Sequence, residues 1–330
     1  MENNPLKDKF NRHLTYLRIS VTDRCNLRCI YCVPKGIVPK MPHDDILRYE
    51  EMLRIVRIGV AVGIRKVRVT GGEPLVRKGI GDFLKRLGAV DGLTDISITT
   101  NGYLLENNVE MIKAAGIRRI NVSLDSLDRD KFAYITGYDV FDRVWQGILH
   151  AQASGLAPIK LNVVALKGHN EDELVDMARL SLTYPFHVRF IEYMPIGNSR
   201  VKTGDSILAP EIKRRIETIG SLEPITKNRM DGPAERYRFK DAPGEIGFIR
   251  PMSRHFCSTC NRLRLTADGH LRPCLLSDRQ VDIKGPMRAG CSDEQIVEIF
   301  RSAVRHKHDA HRFARHEECR VADQMSGIGG

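Results

Sequence analysis

No run of the sequence approaches the ~18 consecutive apolar residues that a membrane-crossing helix requires. The N-terminal stretch MENNPLKDKFNRH has none of the apolar core that a secretory signal carries. Both absences argue against a membrane partner and lead to the expectation of a cytoplasmic protein. Cysteine is sparse, with eight residues in 330. In a reducing compartment such thiols are read as metal ligands or free groups rather than as disulfides. Negative charge is under-supplied: 41 Asp and Glu stand against 52 Lys and Arg, giving a net charge of +11 and a pI near 9.3. That imbalance favours anionic partners, among them phosphorylated small molecules, acidic surfaces and nucleic acid. Low-complexity segments are missing too, and no internal repeat appears beyond the strand–helix rhythm described next. What remains is ordinary for a globular chain, 42% hydrophobic and 28% charged. It is long enough to bury a full core without disulfides and to divide into a larger and a smaller domain.

From residue 15 to about 195 short strands alternate with helices. Strands are expected at 17–21, 66–70, 95–100, 119–125, 159–164 and 187–192, and helices near 47–62, 79–88, 104–115, 141–154 and 170–182. Asn170, with Glu173 three residues on, reads as the N-cap of the last helix. Such alternation predicts a parallel sheet. Strands covered on both faces read as continuous apolar runs, but these alternate. Leu17, Ile19, Val21, Val67, Val69, Ile96, Ile98, Ile120, Val122, Leu124, Ile159, Leu161 and Val163 fall on one face. Arg18, Ser20, Arg68, Thr70, Ser97, Thr99, Asn121, Ser123, Lys160 and Asn162 fall on the other, and Arg189 sits between Val188 and Phe190. A small closed barrel fills its lumen with branched apolar side chains, whereas unpaired cations there are costly. The pattern predicts a wide, incomplete barrel around a polar, anionic ligand. A half-solvated antiparallel sheet is disfavoured by the long helical connections.

After about residue 205 the rhythm changes. A helix near 209–219 precedes a stretch punctuated by Pro224, Gly232-Pro233, Pro243-Gly244 and Gly247. A second helix near 292–304 leads to a basic, His-rich tail. The division expected is 1–220 for the barrel and 221–330 for a smaller C-terminal domain. The run Arg305-His306-Lys307-His308, with His311 and His316, reads as a solvated basic face.

Two cysteine groups carry the chemistry. Cys25, Cys29 and Cys32 form C-x3-C-x2-C just after the first strand. Structural zinc takes four ligands, commonly in paired groups, and this group offers three. Thiolates also hold [4Fe–4S] clusters, where three ligands leave one iron open. The spacing, with Tyr31 before the last cysteine, resembles the radical S-adenosylmethionine (SAM) superfamily. Gly71-Gly72-Glu73-Pro74 after the second strand resembles the superfamily's GGEP segment, in which glycines let the backbone approach the SAM amino group. Cys257, Cys260 and Cys274 read C-x2-C-x13-C. Spacing alone leaves a zinc knuckle, with His255 or His270 as fourth ligand, level with a second open-iron cluster. Arg262 and Arg264 follow directly; on a strand they share one face beside the metal and suit a phosphate.

The segments TDRCNLRCIYC, TGGEP, TTNG, NVSLDSL, FIEYMPIG, CSTCNRLRLT and the final Gly329-Gly330 closely resemble the MoaA family, the GTP 3′,8-cyclases of molybdenum-cofactor biosynthesis, over essentially the whole chain. The resemblance implies a partial (β/α)6 barrel of the radical SAM type, with a C-terminal domain carrying the second cluster. It implies a lyase. The cluster on Cys25, Cys29 and Cys32 reduces SAM to methionine and a 5′-deoxyadenosyl radical. The radical takes the C3′ hydrogen of GTP, and the C3′ radical attacks C8 to give 3′,8-cyclo-7,8-dihydro-GTP. By the same resemblance Tyr31, Gly72, Ser123 and Met194 contact SAM. Arg18, Arg68, Thr99, Lys160, Arg262, Leu263 and Arg264 contact GTP. Cys257, Cys260 and Cys274 hold a second [4Fe–4S] cluster whose open iron binds the guanine. The double glycine Gly329-Gly330 reaches into the active site, and with Arg262 and Arg264 it is expected to be needed for catalysis. Implied partners are GTP, an electron-donor protein and a MoaC-type enzyme downstream, with no nucleic acid; a homodimer is compatible with all of this. Cys291 and Cys319 receive no role. Two other readings stay open here: a peptide-modifying maturase with an auxiliary cluster, and a zinc-stabilised nucleic-acid-binding protein.

Overall fold

The computed structural model describes residues 5–34, 36, 40–226, 232–311 and 321–329. The six expected strands form: β1 (Tyr16–Ser20), β2 (Lys66–Thr70), β3 (Asp95–Thr100), β4 (Ile120–Ser123), β5 (Ile159–Ala165) and β6 (His187–Glu192). They lie side by side in chain order, every pair parallel. Helices α1 (Tyr49–Ala61), α2 (Ile80–Gly88), α3 (Val109–Ala114), α4 (Arg129–Thr136), α5 (Phe141–Ala153), α6 (Leu174–Thr183) and α7 (Ala209–Ile216) connect and follow them. The apolar strand face packs with these helices in one core: Leu17, Ile19, Val67, Val69, Ile98, Ile120, Val122, Leu161 and Val163 are fully buried against residues such as Leu53, Val56, Phe83, Ile112 and Ile148.

Two local expectations fail for identifiable reasons. Helix α4 lay outside the expected elements because it is short and rich in charge. Its signals are caps: Asp128 accepts from the Lys131 N–H, and Gly137 closes the helix in the left-handed region. Asn170 is not an N-cap. Helix α6 starts later, after Glu173. The Asn170 side chain is instead buried at the strand ends, accepting from Leu166 N at 2.8 Å and donating to the carbonyls of Asp125 and Val164. Glu173 is also buried and accepts from Ser126 Oγ, Leu127 N and Asp128 N. Both residues spend their side chains tying the β4 and β5 loops together.

The C-terminal segment does not build a separate sheet. It contributes β7 (Leu222–Pro224), β8 (Glu235–Phe239), β9 (Glu245–Ile249), β10 (Arg262–Leu265), β11 (His270–Arg272) and β12 (Val281–Asp282) to both ends of the same one, in the order β12-β11-β10-β1-β2-β3-β4-β5-β6-β9-β8-β7. Strand β9 runs parallel to β6, and β10 runs parallel to β1. The division at 220/221 therefore falls within a continuous sheet. Helix α8 (Lys284–Arg288) follows β12. Helix α9 (Asp293–Arg305), opened by a capping box of Ser292 and Gln295, packs on α1, where Arg54 holds Asp293 at 2.7 Å. A last short helix, α10 (Met325–Ile328), ends the described chain. The sheet is open at β7 and β12, yet the inner faces of its central strands line one cavity, so it curves as a partial barrel.

Candidate active site

Strand register decides where the two cysteine groups lie. Cys25, Cys29 and Cys32 follow β1 and so lie beyond its C-terminal end. Cys257 and Cys260 precede β10, whose Arg262 pairs with Tyr16 and whose Leu265 pairs with Ile19; they lie beyond the opposite end. Strand β11 returns antiparallel to β10, with Arg272 opposite Arg264, and delivers Cys274 to that same end. The two trios stand at opposite mouths of one cavity of about 310 Å³, and all six cysteines line it.

Between the mouths lies the polar face anticipated from alternation. Arg18, Arg68, Thr70, Thr99, Ser123, Lys160, Asn162 and Arg189 line the cavity with Arg262 and Arg264. Register aligns Arg264, Arg18, Arg68 and Ser97 in one row across four strands, and Arg262, Tyr16 and Lys66 in the row nearer the second trio. The hydroxyl residues Ser20 and Thr70 form a pair nearer the first trio. The lumen is thus graded, cationic toward one mouth and hydroxylic toward the other. Burial opposes these charges and their mutual repulsion adds to it. Arg18 is pulled down to about 10, Arg189 to about 9 and Lys160 to about 6. Burial likewise draws Arg264 well below its ordinary value. Behind the row, Asp95 pairs with Lys66 at 2.7 Å and with Arg119. Asp125 is the only carboxylate among the described lining residues. Walls of this kind favour an anion carrying several charges.

At the first mouth the cysteine loop is pinned to the end of α4 by Arg28 N to Thr136 O at 2.8 Å and Ile30 N to Ile135 O at 2.9 Å. Cys25 Sγ accepts from Leu27 N at 3.4 Å and from Asn101 Nδ2 at 3.7 Å. Burial pushes the Cys29 thiol well up and Cys32 to about 12, and the neighbouring thiols add to both. Thiols crowded in this way become thiolates readily only when a cationic metal shares the site. Among the described residues no group of three or more His, Cys, Asp or Glu is placed to hold a metal ion, and both trios line the cavity. As sets of thiol donors, the residues fit an iron–sulfur cluster. Beside them the Gly71-Gly72 turn presses on the same loop, with Gly72 N donating to Thr22 O at 2.7 Å and Glu73 N to Arg24 O at 2.8 Å. A Cβ on Gly71 would stand 2.8 Å from Thr22 O, and one on Gly72 would meet Arg24 O. Glu73, fully buried, accepts from Leu75 N, Thr100 Oγ1 and Asn101 N. Tyr31 donates to Asp125 Oδ2 at 2.6 Å, and Met194, Ser123 and Gly72 line this mouth with it.

At the second mouth Lys307 overturns its expected role. It is buried rather than part of a solvated basic face, and its Nζ donates to Arg262 O at 2.9 Å and Pro273 O at 2.6 Å. It therefore bridges the two segments that carry the second trio. Burial pushes the Cys260 thiol up, but Lys307 and Arg262 outweigh it and bring the thiol down to about 6. His255 lines this cavity too, whereas His270 is engaged by Asp268 at 3.1 Å and does not. Cys291 lies outside the cavity, packed against the main core, and Cys319 lies outside the described residues.

The described tail packs beside the cavity, and Gly329 is not among the residues that line it. Val321 bridges to Ile196, Arg272 anchors Asp323, and Met325 and Ser326 line the cavity. Arg264 donates to the Gly329 carbonyl. Gly329 adopts φ +84, where a Cβ would stand 2.6 Å from Thr70 Oγ1 and 2.9 Å from Ser20 Cβ. Gly330 lies outside the described residues. Leu263 does not line the cavity; its side chain is fully buried in the core, which leaves only its main chain for a ligand. Sequence reasoning missed Tyr16, Lys66 and Lys307, and also His311, which is buried beside Pro251 O and lines the cavity rather than standing on a solvated basic face. Tyr16 shares the parity of Arg18 and was lost because the strand begins one residue earlier than expected.

Comparison with known proteins places these features. A family model described as the radical SAM superfamily matches residues 19–181, and one described as Molybdenum Cofactor Synthesis C matches residues 186–313. A GTP 3′,8-cyclase of Moorella thermoacetica is 48% identical over 98% of this chain and 100% of its own length. A GTP 3′,8-cyclase of Thermodesulfovibrio yellowstonii is 50% identical over 98% of this chain and 100% of its own length. Among solved structures, Streptococcus suis SuiB bound to S-adenosylmethionine aligns with TM-score 0.60 at 16% identity, over 85% of this chain and 63% of SuiB. The protein anSMEcpe with bound AdoMet aligns with TM-score 0.58 at 16% identity, over 91% of this chain and 82% of its own. At that identity the likeness speaks for the fold, a partial barrel of the radical SAM type.

Proposed function

Since the chain belongs to the GTP 3′,8-cyclase family of radical SAM proteins, we propose that it converts GTP to 3′,8-cyclo-7,8-dihydro-GTP, the first step of molybdenum-cofactor biosynthesis, as a lyase. The observation that carries this reading is the single cavity with a cysteine trio at each mouth and guanidiniums along the wall between. When bound, a [4Fe–4S] cluster at the first mouth supplies the electron that cleaves SAM, and one at the second supplies an open iron for the guanine. Cys25, Cys29 and Cys32 hold the first, and Cys257, Cys260 and Cys274 the second. Tyr31, Gly72, Ser123 and Met194 seat SAM at the hydroxylic end. Arg18, Arg68, Thr99, Lys160, Arg262 and Arg264, with the Leu263 main chain, grip GTP. SAM, once cleaved at the hydroxylic end, would supply the radical that removes the C3′ hydrogen as 5′-deoxyadenosine; C3′ would then bond to C8, and one further electron from the donor protein with one proton would complete the 7,8-dihydro product. That radical is indiscriminate, so selectivity rests on position: gripping the triphosphate and the base at once fixes C3′ before the radical forms. Arg264, which holds the Gly329 carbonyl, closes the site from the SAM side, and the double glycine Gly329-Gly330 takes part in turnover.

An electron-donor protein supplies the reductant, and a MoaC-type enzyme takes the product, both in the cytoplasm. The relatives near 50% identity favour this reading over the peptide-modifying maturase. The test is anaerobic incubation of the iron-loaded protein with SAM, a reductant and each nucleoside triphosphate in turn. Cyclised product is expected from GTP alone, together with roughly eight irons per chain. Tightly bound zinc, or 5′-deoxyadenosine without a cyclised nucleotide, refutes it.

A further inference from the structure

Tyr16 stands at the N-terminal end of β1, with Lys66 and Arg262 as its partners on the two flanking strands. It lines the cavity and is 4% exposed. Lys66 Nζ lies 5.1 Å from the ring centre, and the Arg68 and Arg18 guanidiniums lie 5.7 and 5.8 Å from it. The Tyr16 hydroxyl and Arg18 Nε are both buried without a well-formed hydrogen bond. The groups that act on the phenol are Arg18 from its own strand, Lys66 and Arg68 from β2, and Arg262 from β10. Tyr16 acts in turn on Arg264 of β10 and Arg189 of β6. The nearby carboxylates are already committed: Asp95 to Lys66 and Arg119, Glu245 to Arg236, and Asp125 to Tyr31 at the far mouth. Tyr16, whose side chain meets that of Arg18, is therefore the acidic group that the cations of this row share, with no carboxylate committed to it among the described residues.

We propose that Tyr16 is a proton-linked member of the triphosphate site: as phenolate it balances the lumen cations before substrate arrives, and triphosphate binding returns a proton to it, so that its hydroxyl donates to a phosphate oxygen. The assignment rests on the triphosphate reading given above. Burial alone would push the phenol up, but Arg68, Arg18, Lys66 and Arg262 outweigh burial and bring it down to about 7, so both forms are accessible near neutrality. A triphosphate brings several negative charges into the same row, which raises the affinity of the phenolate for a proton. Below about pH 7 the phenol is already protonated and binding draws no proton for it. Above that, each binding event takes up about one proton for this group from the buffer, and affinity falls up to about tenfold per pH unit on its account. Lys160, brought down to about 6 chiefly by burial, takes up a proton of its own over the same range and sets a background that does not involve Tyr16.

The test is calorimetry of GTP binding to the anaerobic, cluster-loaded protein with SAM present and reductant omitted, at about pH 8, in buffers of different ionisation enthalpy. Tyr16→Phe keeps the ring and is expected to take up about one proton fewer per GTP than the parent, with a shallower fall of affinity from about pH 6.5 to 8.5. Lys160→Arg is expected to lower the uptake without removing the difference made by Tyr16→Phe. Inorganic triphosphate, which is transparent in the ultraviolet, should bleach the tyrosinate absorbance of the parent at the same pH and leave that of Tyr16→Phe unchanged. Equal proton uptake in parent and Tyr16→Phe, or an unchanged tyrosinate absorbance in the parent, overturns the assignment while GTP binding itself still stands. Absence of GTP binding in the parent overturns the triphosphate reading and this assignment with it.

Discussion

Replacing Gly329 by alanine isolates what the tail contributes. The residue holds φ +84, a region that costs an L-residue about 1–2 kcal/mol. The new methyl would also stand 2.6 Å from Thr70 Oγ1 and 2.9 Å from Ser20 Cβ. Thr70 has little freedom to yield, because its hydroxyl donates to Ile19 O at 3.1 Å inside the sheet. Overpacking of this kind adds about 1–3 kcal/mol. The two costs together shift the tail from docked to undocked by about 2–5 kcal/mol, roughly thirtyfold or more at 1.4 kcal/mol per decade. The undocked tail leaves Arg264 without the Gly329 carbonyl it now holds. The expected result is a fall of at least about thirtyfold in kcat/KM for cyclised nucleotide, with 5′-deoxyadenosine still formed. The unfolding temperature should be unchanged, because residue 329 belongs to neither the main core nor a strand. The assay counts both products by chromatography after anaerobic turnover. Wild-type cyclisation by Gly329→Ala would refute the docked geometry, and so would a loss of activity matched by a loss of fold.

Other expectations follow from the same cavity. Arg262→Ala and Arg264→Ala should each abolish cyclisation while the reduced protein still cleaves SAM; cyclic product at the parental rate from both would contradict the substrate grip. Lys307→Met strips a buried donor from the carbonyls of Arg262 and Pro273, at about 1–3 kcal/mol each. Bound iron should then drop from roughly eight to roughly four per chain, the second cluster being lost first; unchanged iron and an unchanged unfolding temperature would count against the bridging role. Lys160 loses its charge above about pH 6 because burial opposes it, so GTP affinity should weaken as pH rises from about 6 to 8. Lys160→Arg, charged throughout, should flatten that part of the profile, and a parallel profile in titration of both proteins would exclude the lysine.

The inner wall was legible because strand side chains alternate with a period of two. Once Arg18, Arg68, Thr99, Ser123 and Lys160 fell on one parity, their common face followed without knowledge of the fold. Cysteine spacing was legible for the same local reason. Features that depend on distant pairing were not. Nothing in RLRL announces that it lies parallel to YLRI, a contact across some two hundred and fifty positions. Lys307 sits in a charge run that reads as solvent-facing, and only packing between β10 and the Cys274 loop reveals its burial. Asn170 and Glu173 carry the chemistry of a helix start, and the loops beside them competed for those side chains and won. Tyr16 was missed by a single residue at a strand boundary, where pattern is weakest.

The open edges of the sheet have a consequence for traffic. Were a cofactor seated at each mouth, as proposed above, a nucleotide would reach the lumen through its flank. Among the described residues β7 and β12 end the sheet without pairing to each other, so the wall has a seam. A nucleotide entering there would travel crosswise to the strands and need not unseat either cofactor, so substrate and product would trade places at every cycle with both proposed clusters left in position.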